Sequence, residues 1–315
     1  MKRFIPILLT LSLCLALCGC GGAAAEPEQT TEQLQIVATV FPAYDFSRQI
    51  AGERAAVTLL IPPGAEVHSF EPTAKDMVRI QNADLLVCNG GESEEWLEQL
   101  LEGQEAPLHV LTMLDCVDAL EEEVIEGMQE VDGDAEEEGP EYDEHVWTSP
   151  VNAQHICRAL AESLCQVDPE GESVYRTNCD AYCEKLQALD EAIRQVVDSA
   201  ARHTVIFADR FPVRYFVEEY GLDYYAAFPG CAEDTEPAAG TVAFLIDKVR
   251  EEQIPAVFYI EFSNEKMADI ICEDTGCEKL LFHSCHSVSA DDLKAGVGYL
   301  DLMQNNATTL GEALR

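Results

Sequence analysis

The chain has 315 residues, with 59 acidic against 19 basic side chains and a formal net charge of -40. A field of that sign repels phosphate, which excludes a nucleic-acid partner, and it favours cationic ligands, although charge alone also serves plain solubility. The length suffices for one large or two ordinary domains.

Met1-Lys2-Arg3 is a short basic start, and Phe4 to Leu17 is almost wholly apolar. This stretch is too short for a comfortable membrane span and suits the apolar region of a signal peptide. It ends in Leu17-Cys18-Gly19-Cys20, which looks like a lipoprotein processing box. Residues 1–19 then form the leader, and Cys20 becomes the lipidated residue that anchors the chain to membrane lipid. The competing reading is secretion after cleavage near Gly22-Ala23. The small-then-polar run Gly21 to Thr31 suits a tether better, and residues 20–34 are assigned to it. Two or more acyl chains hold a protein stably on a membrane. Of the thirteen cysteines, Cys14, Cys18 and Cys20 belong to the leader region, and the other ten include no CxxC pair. Zinc-ribbon spacing is therefore absent. Export permits disulfides, but a chain of this length builds a core without them, and most of the ten read as small buried apolar side chains.

Gln35 to Val40 reads as a strand, dense in β-branched residues, and Asp45 to Ala51 as a helix. Val57 to Ile61 is a second strand, stopped by Pro62-Pro63-Gly64. Thr73 N-caps a helix to Asn82. Leu85 to Cys88, the helix Glu94 to Leu101 and the strand Leu108 to Leu111 continue the alternation. Glu121 to Glu144 breaks it: the segment is crowded with Glu and Asp, lacks apolar periodicity, and reads as a mobile acidic loop. Asn152 to Leu164 is helical. From Glu170 to Ala200, Tyr175, Tyr182, Leu186, Leu189, Ile193 and Val196 recur at three- and four-residue steps, which predicts a helix about 45 Å long. Strands at 204–208, 223–227, 256–260 and 279–282 then alternate with helices at 213–220, 241–252 and 265–272, and a helix at 301–314 closes the chain. The fold class is α/β: two lobes (35–165 and 201–315), each a mainly parallel sheet flanked by helices, joined by a long rigid helix within 166–200.

Seven histidines are present. His68 follows the second strand by one turn, His145 follows the acidic segment, and His283 directly follows the last strand. Asp209 stands likewise after the strand 204–208. In open parallel sheets, ligands bind beyond the carboxyl ends of strands. Three imidazoles and a carboxylate from four connections suit a mononuclear metal site in the cleft between lobes, and this donor set suits zinc better than calcium or magnesium. A lone His after a strand is more often a structural residue, and spacing alone leaves that alternative open for each. His286 is a rival for His283, and Glu261 a rival for Asp209.

Five segments carry a resemblance. They are Val40-Phe41-Pro42-Ala43-Tyr44-Asp45-Phe46, the run from Ile61 to Pro72 around His68, Asp84-Leu85-Leu86-Val87-Cys88-Asn89-Gly90, Glu144-His145-Val146-Trp147-Thr148-Ser149-Pro150, and Tyr299-Leu300-Asp301-Leu302-Met303. Together they resemble the zinc- and manganese-uptake substrate-binding lipoproteins of ABC importers, the cluster A-I family. The resemblance implies two α/β lobes bridged by a rigid helix and four metal ligands at their interface. It makes His68 the first ligand and His145 the second. The third family ligand, a His or Glu, has no counterpart in Phe207-Ala208-Asp209-Arg210-Phe211, where Asp209 is the acceptor. The fourth is usually an acidic residue before Ser, where His283 precedes Ser284. The expected set is therefore His68, His145, Asp209 and His283, with Arg210 pointing away and pairing with an acidic neighbour. The implied function is a lipid-anchored, monomeric receptor on the extracytoplasmic face of the cell membrane, delivering Zn2+ to an ABC permease. The alternatives are a manganese or iron receptor of the same class, with Mn2+ as the rival cargo, or a zinc-dependent hydrolase, for which no HExxH is present. The acidic segment would serve as a cation antenna or as a plain solvated insertion.

Overall fold

The computed structural model describes residues 33–102, 108–129, 141–232 and 238–315. The leader, the Cys20 lipidation site, the tether up to residue 32 and the stretch 130–140 of the acidic segment lie outside the described residues. Among the described residues, no helix is long and apolar enough to cross a membrane.

Eight strands form two sheets of four. The first contains β1 (Leu34–Ala38), β2 (Ala55–Leu59), β3 (Leu85–Cys88) and β4 (His109–Thr112), in the order β2-β1-β3-β4. The second contains β5 (Thr204–Phe211), β6 (Asp223–Pro229), β7 (Ala256–Tyr259) and β8 (Glu278–Leu281), in the matching order β6-β5-β7-β8. All pairings are parallel. Helices cover the sheet faces, so a central strand such as β3 (LLVC) is buried throughout and reads as an unbroken apolar run. Each sheet steps outward from its first strand and then crosses back over it. The switch points therefore lie between β1 and β3 and between β5 and β7, where a crevice opens beyond the strand ends.

The helix Glu172–Asp198 has 27 residues, about 40 Å at 1.5 Å per residue. It is shorter than the periodicity alone predicts, because Pro169–Gly171 is a separate tight turn. Its buried stripe runs from Tyr175 through Cys179, Tyr182, Leu186, Leu189 and Ile193 to Val197. This stripe packs against Phe41–Ala51 and Pro150–Val167 of the first half and against Tyr299–Ala313, the closing helix. At its centre the buried Asp45 carboxylate accepts the Tyr299 N–H at 3.0 Å and the Tyr182 hydroxyl at 3.3 Å. The Phe46 ring meets the Tyr299 ring edge-on.

Several boundaries move. Thr73 caps its helix with a reciprocal capping box, as its position predicts. A short helix, Ala290–Ala295, appears where no apolar periodicity marks it; Ser289 initiates it by accepting the Asp292 N–H at 3.0 Å. β5 runs to Phe211, three residues beyond the predicted end, with a register shift between Phe207 and Arg210. The acidic segment is not a free loop where it is described. Glu122 N–H donates to Glu141 O and Asp143 N–H to Leu120 O, both at 2.9 Å, and Gln129 N–H donates to Ala227 O at 2.8 Å. Met128 is buried. Met128 joins the main core and the Gln129 backbone docks on β6, an order that charge density conceals. Of the ten cysteines, five are buried and five partly buried, all as thiols. Cys179 and Cys183 share one helix face as their spacing requires, Sγ to Sγ 3.9 Å.

Leu186 is fully buried at the middle of the long helix. Leu186→Ala is expected to destabilise the fold by about 2–5 kcal/mol, measured by urea unfolding. A loss below about 0.5 kcal/mol would show that the helix is not integral to the core.

Candidate metal centre

Three imidazoles converge from three connections. His68 comes from the loop after β2, His145 from the turn before Pro150–Val167, and His286 from the loop after β8. Their ring centroids are 5.6 Å (His68–His145), 5.0 Å (His68–His286) and 5.1 Å (His145–His286) apart. One nitrogen of each lies within 4.8 Å of the others. Nitrogens bound tetrahedrally to zinc at 2.0–2.1 Å sit about 3.4 Å apart, so a small inward adjustment would let the three share one ion.

The three rings differ in their surroundings. His145 Nδ1 lies 3.2 Å from Asp143 Oδ1, which also accepts the His145 N–H at 2.8 Å; both side chains are buried. Asp143 thus fixes the tautomer and leaves Nε2 as the donor to a metal. Burial lowers the His145 pKa, but the Asp143 charge and hydrogen bond, with Glu144 and Glu122 behind them, reverse this and hold it above the usual value. Burial, then the neighbouring His145, then Arg210 push His68 down to about 3. His286 is driven well below the usual imidazole value by burial, then by His68, His145 and Arg210. Its Nε2 is buried with no hydrogen-bond partner. An orphaned buried nitrogen in a neutral ring is costly unless something occupies it, and a metal ion satisfies that demand.

The expected donors Asp209 and His283 belong to none of the close donor groups among the described residues. The shift in β5 places Asp209 inside the strand. Its Oδ1 accepts the Arg210 N–H at 2.8 Å and its Oδ2 the Ile260 N–H at 3.3 Å, so it ties β5 to the loop after β7. His283 is pinned by Asn306, which receives its N–H at 2.8 Å and donates to its carbonyl at 2.7 Å. Its Nδ1 accepts the Cys285 N–H at 3.0 Å. Cys285 then adopts φ 62° and turns the chain so that His286 enters the cluster. Such a conformation is rare outside glycine and persists where the surroundings over-determine it. Glu261 lines the cavity, but its two oxygens accept the Ser284 N–H at 2.7 Å and the Ser284 hydroxyl at 2.5 Å. A further group, His68 with Glu144 and Cys231, lies alongside; both Glu144 oxygens are held by Ser93.

Three further residues shape the site. Arg210 pairs with an acidic neighbour as expected, reaching Glu66 across the cleft at 3.4 Å, but instead of turning away it lines the same cavity of ≈ 60 Å³ as His68, His145 and His286. Gly230 lets the backbone approach His145: a Cβ there would meet the imidazole Cε1 at 3.2 Å and the Phe211 carbonyl at 3.0 Å. Trp147, fully buried, donates its Nε1–H to Ser284 O at 2.8 Å and accepts the Tyr299 hydroxyl on its own carbonyl at 2.6 Å. The Asp143-x-His145 spacing is the one signal that would have revealed the carboxylate behind a histidine.

Comparison with known proteins agrees with this geometry. Residues 36–313 match the family model of ZnuA, the zinc-uptake complex component A. The chain belongs to the ZnuA family. It is 33% identical to the zinc-binding lipoprotein AdcA of Streptococcus pneumoniae, over 96% of this chain and 60% of that protein. It therefore spans less than two thirds of the length of that relative. It is 29% identical to the high-affinity zinc uptake system protein ZnuA of Bacillus subtilis, over 96% and 94% of the two chains. The crystal structure of the Zn(II)-bound ZnuA-like domain of Streptococcus pneumoniae AdcA superposes with a TM-score of 0.75 at 28% identity, covering 90% of this chain and 99% of that one.

Trp147 lies two residues from His145, and its acceptor Ser284 two residues from His286. Trp147→Phe removes the one donor to that carbonyl while keeping most of the ring. The expected loss is about 1–3 kcal/mol of stability by urea unfolding, together with weaker zinc binding in calorimetric titration. Unchanged affinity would show that the two loops keep their register without this bond.

Proposed function

We propose that this protein is the metal-capturing receptor of an ABC importer, holding Zn2+ with His68, His145 and His286 and passing it to a membrane permease. Lipidated Cys20 keeps it on the extracytoplasmic face of the cell membrane, where it works as a monomer. The observation that carries the reading is the convergence of three imidazoles, His145 and His286 buried and His68 partly so, with His68 and His286 kept neutral by their surroundings and His145 oriented by Asp143 through Nδ1, in a family of zinc-uptake proteins. In this reading Asp209 and His283 fasten the backbone around the ion instead of ligating it.

Cluster composition favours zinc over manganese. Imidazole nitrogen suits zinc, whereas manganese prefers carboxylate-rich sites, and the carboxylate of Glu261 is already engaged by Ser284. One observation favours a zinc hydrolase: three protein ligands leave a fourth position open, as in catalytic zinc sites. That reading also needs a general base free to act at the open position. The sequence holds no HExxH pair and the chain belongs to a family of zinc-uptake proteins, so the receptor reading stands ahead of it.

The test is calorimetric titration of the chain without its leader. His68→Ala, His145→Ala and His286→Ala are each expected to lower zinc affinity by roughly a hundredfold or more, since second-sphere changes cost about 10–100-fold and loss of a ligand exceeds that. His283→Ala and Asp209→Ala should lower the unfolding midpoint more than the affinity. Strong zinc binding by His286→Ala with its loss in His283→Ala would sink the assignment. Competition should leave zinc bound in a large excess of manganese.

A further inference from the structure

Arg210 is the group that the three-histidine reading leaves unexplained. It brings a permanent positive charge to the wall of a cavity that is to receive a cation. Its contacts are long: Nη1 lies 3.4 and 3.5 Å from the Glu66 oxygens and 3.5 Å from Ala232 O. Glu66 is half exposed, and such a pair is worth little. Arg210 Nε is buried with no partner at all. A guanidinium offers five donors in a planar fork, and the structure leaves this one far from satisfied.

The open side of the histidine cluster lacks the opposite kind of group. Imidazoles that ligate through nitrogen bring no negative charge and do not offset that of a divalent ion. No carboxylate oxygen joins the three histidine nitrogens in one close donor group among the described residues, and the nearby carboxylates are anchored elsewhere: Glu261 by Ser284, Asp209 by Arg210 N–H and Ile260 N–H, Glu144 by Ser93, and Asp143 on the far side of His145. An ion on the three histidines therefore lacks an anionic fourth ligand, and Arg210 lacks an anion, on the walls of one cavity.

We infer that the site takes zinc together with a small carboxylate, one oxygen completing the ion's coordination and the carboxylate held by the Arg210 fork. The inference rests on the three-histidine reading above. Guanidinium and carboxylate match in geometry, and charge-assisted bonds of this kind are short and strong. Volume is consistent as well. One water needs about 10–15 Å³ of such space, so a cavity of ≈ 60 Å³ admits an ion with an anion the size of formate or acetate. Arg210 is thus a specificity residue: it opposes a bare ion and favours a metal–carboxylate pair. Glu66, reaching the same guanidinium from the first lobe, occupies it until the anion arrives.

Zinc titration of the wild-type chain and of Arg210→Gln, first in a perchlorate medium and then with formate added, tests this. Wild-type affinity should rise saturably with formate, by roughly tenfold or more for a charge-assisted pair. R210Q should bind zinc more tightly than wild type in perchlorate, because the repelling charge is gone, and should lose the response to formate. Arg210→Lys, which keeps the charge without the fork, should respond weakly. Cobalt(II) in place of zinc gives a second readout: its visible spectrum should change on adding formate to wild type and stay unchanged in R210Q. Wild-type affinity independent of formate, with zinc still bound, overturns the inference and leaves the three-histidine site intact. An affinity gain with an unchanged cobalt spectrum puts the anion on Arg210 alone and overturns the bridging. Loss of zinc binding by the wild type in both media removes the site and the inference together.

Discussion

The hydrogen bond from Trp147 Nε1 to Ser284 O, 2.8 Å long and sealed from water, holds the two halves of the site in register. Trp147 follows His145 by two residues on a turn attached to the first half, and Ser284 precedes His286 by two residues on the loop after the last strand. One indole therefore sets the spacing of two of the three imidazoles. The arrangement continues inward: Tyr299 donates to the Trp147 carbonyl, its own N–H is held by Asp45, and Asp45 also receives Tyr182 of the long helix. Phe41 N–H reaches the His286 carbonyl at 3.3 Å from the other side. The chain of contacts runs from the cluster to the centre of the core without a solvent-exposed link, so the rings inherit the rigidity of the packed helices.

Rigidity alone does not make a metal site; protonation state matters as much. Burial holds His68 and His286 deprotonated, while Asp143 orients His145 and leaves its outer nitrogen free. Desolvation, usually a cost for a titratable group, here keeps lone pairs available at neutral pH. The strongly acidic surface contributes differently. It concentrates cations around the molecule as a whole, a long-range and salt-sensitive effect, while the cavity itself holds imidazoles and a guanidinium.

Much of the fold was legible in the chain. Alternation of short β-branched runs with apolar periods of three and four announced two parallel sheets, and the stripe from Tyr175 to Val196 announced the long helix, although Val197 is the residue buried at its end. Thr73 and its Asp76 partner marked a helix start through local chemistry alone. The acidic segment differs from the mobile loop expected, because Met128 and Ile125, two of its apolar residues, pack on the core in a way that a count of charges does not reveal. His68 and His145 stood out from the sequence by position. The choice between His283 and His286 did not, since both lie in one four-residue stretch after the same strand.

The sequence by itself determined what is local or periodic: strand and helix order, the sign of the surface charge, the imidazoles available, and the family motifs around His68 and His145. The tertiary structure alone decided which donors meet. A left-handed turn at Cys285 brings His286 inward, while Asn306, on the closing helix, pins His283 in place. A register shift in β5 gives Asp209 to the backbone of a neighbouring loop and leaves Arg210 on the cavity wall. Both outcomes depend on contacts between segments tens of residues apart. A one-residue change of register sends a strand side chain to the opposite face, and no count of spacing along the chain detects it.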